Sequence, residues 1–294
     1  MTTVNSSNQI KFEDYEDGLQ ATIKNDPLDV AALADQLAAV PNLKRIVLMQ
    51  PISELKSLGF LEGLVALQSL HINHLPKSAD CSALLAIPSL KEITTGDYCW
   101  FDCSLLKHIP NLKKFRSGPK TFSLNDLKAC EALEWIELRG VKAANCSFVA
   151  GMRKLKQLRL WDCKIPHTDG LDQCPQIIDL DLGRSSFLEL QALSSLEHLQ
   201  RLELERCGKI PEASVIMQCL SLVLLNVSHC QFGLKGCFFD SMNSLEVFSG
   251  VGIKIDRDAL LSLIKLPHLR KVSVSKCYVQ DFACRDDLKV FGYK

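Results

Sequence analysis

Apolar residues recur along nearly the whole chain in the pattern L-x-x-L-x-L, about every 22 residues. The first position of its twelve copies is occupied by Leu43, Leu67, Leu90, Leu112, Leu133, Leu155, Ile177, Leu199, Leu222, Leu245, Leu269 and Leu288. The third residue after it is apolar in every copy, and the fifth is apolar in nine. This alternation predicts a short strand with one buried face in each copy. Twelve copies in step predict a repeat architecture.

A second apolar series precedes each predicted strand. In the first eleven copies, residues three and six positions before the first Leu are apolar or Cys, as with Ile109 and Leu106 before Leu112. A spacing of three indicates a short helix or 3₁₀ turn with one buried face. Each copy therefore predicts one strand and one short helical turn.

Cysteines support the register of the repeat. Cys163, Cys207, Cys230 and Cys277 stand eight residues after the first Leu of their copies. We expect these side chains to lie inward where the chain leaves its strand. Other copies depart from the pattern at this position, with Leu75, Tyr98 and Ser185 among the exceptions.

From about residue 28 to the end, these motifs resemble the leucine-rich repeat family, whose consensus is L-x-x-L-x-L-x-x-N/C. The period of about 22 residues is most similar to the short SDS22-like class. The resemblance implies an α/β leucine-rich repeat solenoid, a horseshoe or arc with a concave parallel β-sheet and short helices or 3₁₀ turns on the convex side. The period disagrees with the longer class of ribonuclease inhibitors, so no catalytic residue is carried over from it.

The ends of the chain predict a cap before the repeats. We expect residues 1–8 to be disordered, 9–42 to form an N-terminal cap region, and 43–294 to form one solenoid of about twelve repeats. Residues 29–40 have helical spacing, and Asp26-Pro27 is a plausible helix start. Residues 9–24 fit either a strand or a further helix.

Composition excludes several classes of protein. Lys and Arg number 34 against 34 Asp and Glu, which argues against a broadly basic nucleic-acid-binding protein. The sequence shows no signal-peptide pattern and no apolar run of membrane-spanning length. An odd count of 13 cysteines without such a signal predicts reduced thiols. We therefore expect a cytoplasmic, monomeric protein, with non-classical secretion left open.

Side chains two, four and six residues after each first Leu should point to the concave face, because strand residues alternate. In the middle of the chain this face collects tryptophans, arginines and carboxylates, and Trp and Arg are the residue types enriched at binding hot spots. The predicted partner-binding residues are Arg116, Trp135, Glu137, Arg139, Arg159, Trp161, Asp162, Asp179, Asp181, Arg184, Arg201, Glu203, Glu205 and Arg206.

Other interpretations stay open beside this one. The charges alone fit a solvated face with cross-strand ion pairs, and the pairs Asp179/Asp181 and Glu203/Glu205 could in principle serve acid–base or metal chemistry. Metal binding near His71, near Cys99 and Cys103, or at His229-Cys230 has weak support. Lys113, Lys114, Arg116 and Lys120 form only a small basic spot.

The sequence therefore favours a non-enzymatic scaffold that binds a partner protein on its concave face, with no cofactor, catalytic residue or metal. An adaptor of the phosphatase-regulator type and a bacterial effector both fit this description. An enzyme with a concave-face carboxylate site and a receptor-like sensor are the competing hypotheses.

Overall fold

The computed structural model describes residues 10–16, 18–24, 30–49, 55–210 and 213–293. The chain divides into two compact units, residues 1–136 and 137–294. Among the described residues, no helix has the length and apolar character needed to cross a membrane. The expected disorder of residues 1–8 and the helix start at Asp26-Pro27 fall outside the described ranges.

Unit 1 contains a mainly parallel sheet in the order β1-β2-β3-β4-β5-β7 and a small sheet of β6 and β8. Its strands and its α-helix are β1 Ile10–Tyr15, β2 Gly18–Ile23, α1 Val30–Ala38, β3 Leu43–Leu48, β4 Ser69–Leu75, β5 Glu92–Cys99, β6 Phe101–Asp102, β7 Lys114–Ser117 and β8 Thr121–Phe122. Its 3₁₀ helices are Gly59–Leu61, Ser82–Ala86, Cys103–His108 and Leu124–Ala129. The next strand, β9 Trp135–Arg139, spans the boundary between the units.

Unit 2 contains a parallel sheet in which β10, β11, β12, β13, β15, β17 and β18 follow the last residues of β9, and a small sheet of β14 and β16. These elements are β10 Gln157–Trp161, β11 Asp179–Asp181, β12 Arg201–Glu203, β13 Leu224–Asn226, β14 Gly233–Leu234, β15 Val247–Gly250, β16 Lys254–Ile255, α2 Arg257–Ile264, β17 Lys271–Ser275 and β18 Lys289–Tyr293. Its 3₁₀ helices are Ser147–Val149, Leu171–Gln173, Gln191–Ser195, Ala213–Gln218 and Lys276–Phe282.

The predicted alternation is confirmed in both units. In β10, Leu158 and Leu160 are fully buried while Gln157, Arg159 and Trp161 are partly exposed. The pairing of β10 with β11 aligns Leu158 with Leu180, so inward leucines stack from one repeat to the next. Burying such a side chain contributes about 1.5–3 kcal/mol, and the stacked residues form a continuous core.

The predicted helical turns and cysteine core are also confirmed. Leu106 and Ile109 are buried at the 3₁₀ helix Cys103–His108, as their spacing predicts. Ten of the thirteen cysteines are buried, and none of the thirteen forms a disulfide. Free Cys fills these positions because it behaves as a small apolar side chain.

Strand pairing decides between the two structures, a strand or a further helix, that the sequence allowed before the repeats. β1 pairs with β2 in antiparallel orientation, and β2 pairs in parallel with β3, the first repeat strand. Helix α1 buries Leu33 and Leu37. The segment before the repeats is therefore a hairpin followed by a helix, and it covers the edge of β3.

Two expectations for the last two repeats are wrong. Cys277 is exposed rather than inward, and Phe291 is 42% exposed rather than in the core. The helix Lys276–Phe282 follows β17 directly and buries Phe282 instead, so the inward turn of Cys277 is lost. The register then shifts by one residue, and Val290 rather than Phe291 lies beside Val272.

Candidate functional site: the open face of the strands

We call the side of the strands opposite the buried leucines the open face. It carries the residues two, four and six positions after each first Leu, and Asp162, Arg184 and Arg206 adjoin it at the strand ends. Of the fourteen predicted residues, Arg116 and Trp135 belong to unit 1 and the other twelve to unit 2. Arg116 lies beside Thr94 in the pairing of β5 with β7, and Arg116 and Trp135 are both partly exposed. The contacts that follow all lie within unit 2.

Charged side chains alternate in sign across four neighbouring strands of unit 2. On β9, Arg139 Nε donates to Glu137 Oε1 at 2.7 Å, although Glu137 is only 5% exposed. Arg159 on β10 lies 4.0 Å from Glu137 Oε2 and 3.8 Å from Asp179 Oδ2 on β11. The alternation is possible because parallel strands lie only about 4.8 Å apart.

The same series continues to β12. Arg201 approaches Asp179 Oδ1 at 3.6 Å and donates to Glu203 Oε1 at 2.8 Å. In the turn that directly follows β12, Arg206 lies 3.5 Å from Glu205. The predicted ion pairing is confirmed for Arg159, Arg201 and Arg206. The exposed pair Arg206–Glu205 contributes less than about 1 kcal/mol.

The centre of this series leaves hydrogen-bonding capacity unused. The contacts of Arg159 with Glu137 and Asp179 span 3.8–4.0 Å, which is too long for a direct hydrogen bond. Arg159 Nε and Asp179 Oδ1 are buried atoms that have no hydrogen-bond partner within the described structure. Buried polar atoms usually find a partner, from protein or from water. The ion pairs at the centre of the series are therefore looser than those of Arg139 and Arg201 at its two sides.

Trp161 forms the second feature of the face. Its Nε1 donates to Asp181 Oδ1 at 3.2 Å. The guanidinium carbons of Arg139 and Arg184 lie 5.4 and 5.2 Å from the ring centroid, within cation–π range. We call Arg139, Trp161, Asp181 and Arg184 the arginine–tryptophan cluster.

Gly183 makes room for this cluster. A Cβ added to Gly183 would lie 2.7 Å from Trp161 Nε1 and 3.1 Å from Asp181 Oδ1. Real side chains do not approach so closely, so any larger residue at 183 would displace the indole. Sequence reasoning missed this role, because a glycine on a strand face gives no signal until its neighbour is known.

Burial changes the acidity of two carboxyls on the face. It raises the pKa of Asp181 above its ordinary value of 3.8, although the Gly183 N–H, the Arg159 cation and the Trp161 indole each lower it. Burial likewise raises the pKa of Glu203 above 4.5, opposed by Asn226 and Arg201. The acidity of these two carboxyls is therefore set by burial and by neighbouring protein groups.

Three predicted residues share an unusual backbone conformation at the end of their strands. Asp162, Arg184 and Arg206 have φ of 55°, 58° and 59°, in the left-handed region. Their N–H groups donate to Gly183 O, Glu205 O and Ser228 O, carbonyls of the following repeat. Left-handed backbone costs a non-glycine residue about 1–2 kcal/mol, and these inter-repeat bonds offset part of that cost. The bonds also fix where Arg184 leaves the strand, beside Trp161.

The cysteine ladder is confirmed in unit 2, and it includes a residue that the sequence analysis set aside. Cys163, Cys207 and Cys230 direct their thiols at the carbonyls of Leu138, Leu182 and Leu204. Ser185, counted as an exception, donates to Leu160 O at 2.7 Å and accepts from Cys163 N. A hydroxyl therefore takes the place of the thiol.

Burial keeps two thiols protonated, Cys163 of the ladder and Cys99 of β5. Burial raises the pKa of Cys163 to about 11, so its thiol keeps its proton and can donate to Leu138 O. Burial also raises the pKa of Cys99 to about 12. A nucleophilic cysteine needs the opposite shift.

Unit 1 presents a second surface feature that the sequence analysis missed. Tyr98 and Trp100 are 67% and 37% exposed, and Lys120 Nζ lies 5.5 and 5.6 Å from their ring centroids. Lys77 Nζ lies 5.4 Å from the Trp100 ring and 6.0 Å from Phe122. Trp100 and Phe122 both stand ten residues after the first Leu of their copies, and this spacing alone does not indicate a contact with lysines.

Metal-ligating side chains converge at one place among the described residues, and it is not on the open face. His167, Asp169 and Glu189 bring their ligand atoms within 4.8 Å of one another. His71, considered above, instead shares a hydrogen bond of 2.7 Å with Asn73 Oδ1. On the open face, arginines lie beside Glu137, Asp179, Glu203 and Glu205. Asp181 instead accepts from Trp161 and Gly183.

Comparison with known proteins shows the fold. No protein-family model and no curated protein matches the sequence. Among solved structures, an internalin (inlF) from Listeria monocytogenes is 15% identical, with a TM-score of 0.59 over 86% of this chain and 81% of that one. The structure of a TLR13–ssRNA13 complex is 18% identical, with a TM-score of 0.66 over 86% of this chain and 39% of that one.

A plant peptide hormone receptor, RGFR1 in complex with RGF2, is 16% identical, with a TM-score of 0.54. It is covered over 44% of its length, so the chain spans less than half of both receptor chains. These likenesses, with the parallel strands and 3₁₀ turns described above, show a leucine-rich repeat solenoid.

Proposed function

We propose that this protein is a non-enzymatic scaffold that binds a partner protein through the open face of unit 2. The observation that carries the proposal is the arginine–tryptophan cluster. Trp161 is held by Asp181, flanked by Arg139 and Arg184, and seated over Gly183. A large amphipathic side chain fixed in this way loses little entropy on binding, which favours affinity.

Two further points support the proposal. Trp and Arg dominate binding hot spots. RGFR1, which shares the fold, is seen in complex with RGF2, so a solenoid of this type can bind a peptide.

The partner is a protein rather than a nucleic acid in this proposal. TLR13, which shares the fold, is seen with single-stranded RNA. Here, however, arginines of the open face alternate with Glu137, Asp179 and Glu203, and the formal net charge of the chain is zero. A polyanion gains most from a surface of one sign, which this face lacks.

The finer part of the proposal is a short-period, SDS22-like adaptor that is monomeric and cytoplasmic and needs no cofactor. A regulator of a phosphatase and a bacterial effector both fit it. An enzyme with a carboxylate site on the same face is the competing function, and the engagement of those carboxylates by arginines disfavours it.

The test is affinity capture with the tagged chain, followed by reconstitution with the purified candidate partner. Trp161→Ala should reduce binding at least tenfold, because it removes the central side chain of the cluster. Gly183→Ala should weaken binding less, because it displaces the indole without removing it. Trp100→Ala is the matched control, since Trp100 is also partly exposed and flanked by a cation but lies in unit 1.

Two outcomes would reject the proposal. Equal binding by wild type, Trp161→Ala and Trp100→Ala would show that the partner does not bind through the open face of unit 2. Capture of RNA that is lost on ribonuclease treatment, with no protein retained, would replace the protein partner by a nucleic acid.

A further inference from the structure

His167, Asp169 and Glu189 lie in two successive connections of unit 2. His167 and Asp169 follow β10, before the 3₁₀ helix Leu171–Gln173, and Glu189 follows β11, before the helix Gln191–Ser195. His167 stands twelve residues after Leu155, and Glu189 stands twelve after Ile177. They therefore occupy the same position in adjacent repeats, and the period of the fold stacks them.

The ligand atoms of the three side chains are close together. His167 Nδ1 lies 2.9 Å from Glu189 Oε1, and the atoms of all three residues fall within 4.8 Å of one another. The side chains of His167 and Glu189 are 41% and 44% exposed, and Asp169 is exposed. A cation from solvent can therefore reach the group.

The backbone around the group is held by other contacts. Pro166 O, next to His167, accepts from Leu188 N at 2.7 Å, which ties the two connections together. Thr168 is only 1% exposed, so His167 and Asp169 lie on the outer side of a residue that points inward. Gly170 has φ of +101°, and a Cβ there would lie 2.7 Å from Cys146 O, which fixes the turn after Asp169.

We infer that these three residues form a binding site for a divalent cation of the Zn²⁺ type. Imidazole nitrogen and carboxylate oxygen bind Zn²⁺ at about 2.0–2.2 Å. Tetrahedral ligands at that radius lie about 3.3–3.6 Å apart, which falls between the 2.9 Å and 4.8 Å found here. Three protein ligands leave the fourth position to water. The site is separate from the open face and does not depend on the proposed function.

The experiment is a titration of the full chain with Co²⁺, followed by visible absorption, and with Zn²⁺, followed by calorimetry. Co²⁺ is used because its spectrum separates nitrogen and oxygen ligands from thiolate, and Cys237, Cys277 and Cys284 are exposed. We expect one equivalent bound with nitrogen and oxygen ligands. His167→Ala should abolish binding, and Glu189→Gln should weaken it at least tenfold.

His198→Ala and Glu197→Gln are the matched controls, because both residues are exposed side chains of the same unit. They should bind the cation as wild type does, and the unfolding midpoint of every variant should show that it is folded. Absence of binding by wild type would overturn the inference. So would binding that survives His167→Ala, or a thiolate spectrum that disappears when the exposed cysteines are replaced by serine.

Discussion

The strands of the two units end differently, although their buried faces follow the same pattern. In unit 1, β4 and β5 have seven and eight residues. In unit 2, β11, β12 and β13 have three residues each. The seventh residue after the first Leu shows the difference. In β4 and β5 this residue is His74 or Asp97 and still lies within the strand, whereas after β11, β12 and β13 it is a left-handed residue in a turn.

The left-handed position recurs throughout unit 2. It is occupied by Gly140, Asp162, Arg184, Arg206, His229 and Gly252, all with positive φ. The next residue turns inward, and where it is Cys or Ser it donates to a carbonyl of the preceding repeat. In unit 1 the corresponding residues Leu75 and Tyr98 lie in strands whose pairing includes them.

In four repeats of unit 2 a side-chain donor, Cys163, Ser185, Cys207 or Cys230, accompanies the exit of the chain from its strand. A backbone carbonyl left without a partner in the core costs about 1–3 kcal/mol. A thiol or hydroxyl that caps it allows the chain to leave the sheet, and continued pairing is the alternative. The consequence for the surface is direct, because the turn in unit 2 places Arg184 beside Trp161.

The largest expected effect tests what the two units share. Leu180→Asp in unit 2 and Phe115→Asp in unit 1 should each destabilise the protein by more than about 4 kcal/mol, because an unpaired carboxylate would enter a fully buried position. Urea denaturation measures the loss. Asp179→Asn, a neighbour on the outer face, is the control. A midpoint for either core variant close to that of the control would contradict the alternation.

The second prediction, with an intermediate effect, concerns the side-chain donor that follows the left-handed residue in unit 2. Ser185→Ala removes the hydroxyl that donates to Leu160 O and accepts from Cys163 N, and should cost about 1–3 kcal/mol. Ser185→Cys keeps a donor and should cost less. Tyr98→Ala, at the same repeat position in unit 1, should have little effect because that side chain is largely exposed.

Ser186→Ala serves as the control for this experiment, since Ser186 is exposed beside Ser185. The free energy of unfolding of the four variants is compared at one pH. If Ser185→Ala were no more costly than Ser186→Ala, the capping of the carbonyl would not be what ends the strand.

The smallest expected effect concerns pH. Burial raises the pKa of Asp181 in the folded state above 3.8, so the folded protein holds this proton more tightly than the unfolded chain does. The resulting stability is present at pH below the unfolded pKa and is lost as pH rises through the folded pKa. As pH rises from 4 to 7, the free energy of unfolding should therefore decrease less for Asp181→Asn than for wild type. A steeper loss in the variant would show that the arginines, not burial, dominate this carboxyl.

Much of the fold could be predicted from single residues at fixed spacing. The burial of Leu158 and Leu180 was predictable because side chains alternate along a strand. The cysteine ladder was predictable because Cys163 and Cys207 occupy the same position in their repeats. The predictions for Cys277 and Phe291 were wrong because the last two repeats depart from the regular spacing on which those predictions rested.

The candidate site was predictable only as a set of residues on one face. The sequence placed Trp161, Asp181 and Arg184 there, and the structure adds how they contact one another. Nothing in the sequence indicated that Gly183 must be small, since the reason is the position of an indole from the preceding repeat. The role of each predicted residue in partner binding remains the proposal made above.

The sequence by itself determined the repeat, its period and the side of each strand that is buried, because these depend on the alternation of side chains along one chain segment. Only the tertiary structure decided where each strand ends, which hydroxyl replaces a thiol, and which cations flank Trp161. Those features depend on atoms contributed by neighbouring repeats, about 22 residues apart in sequence, and such contacts exist only once the repeats are stacked.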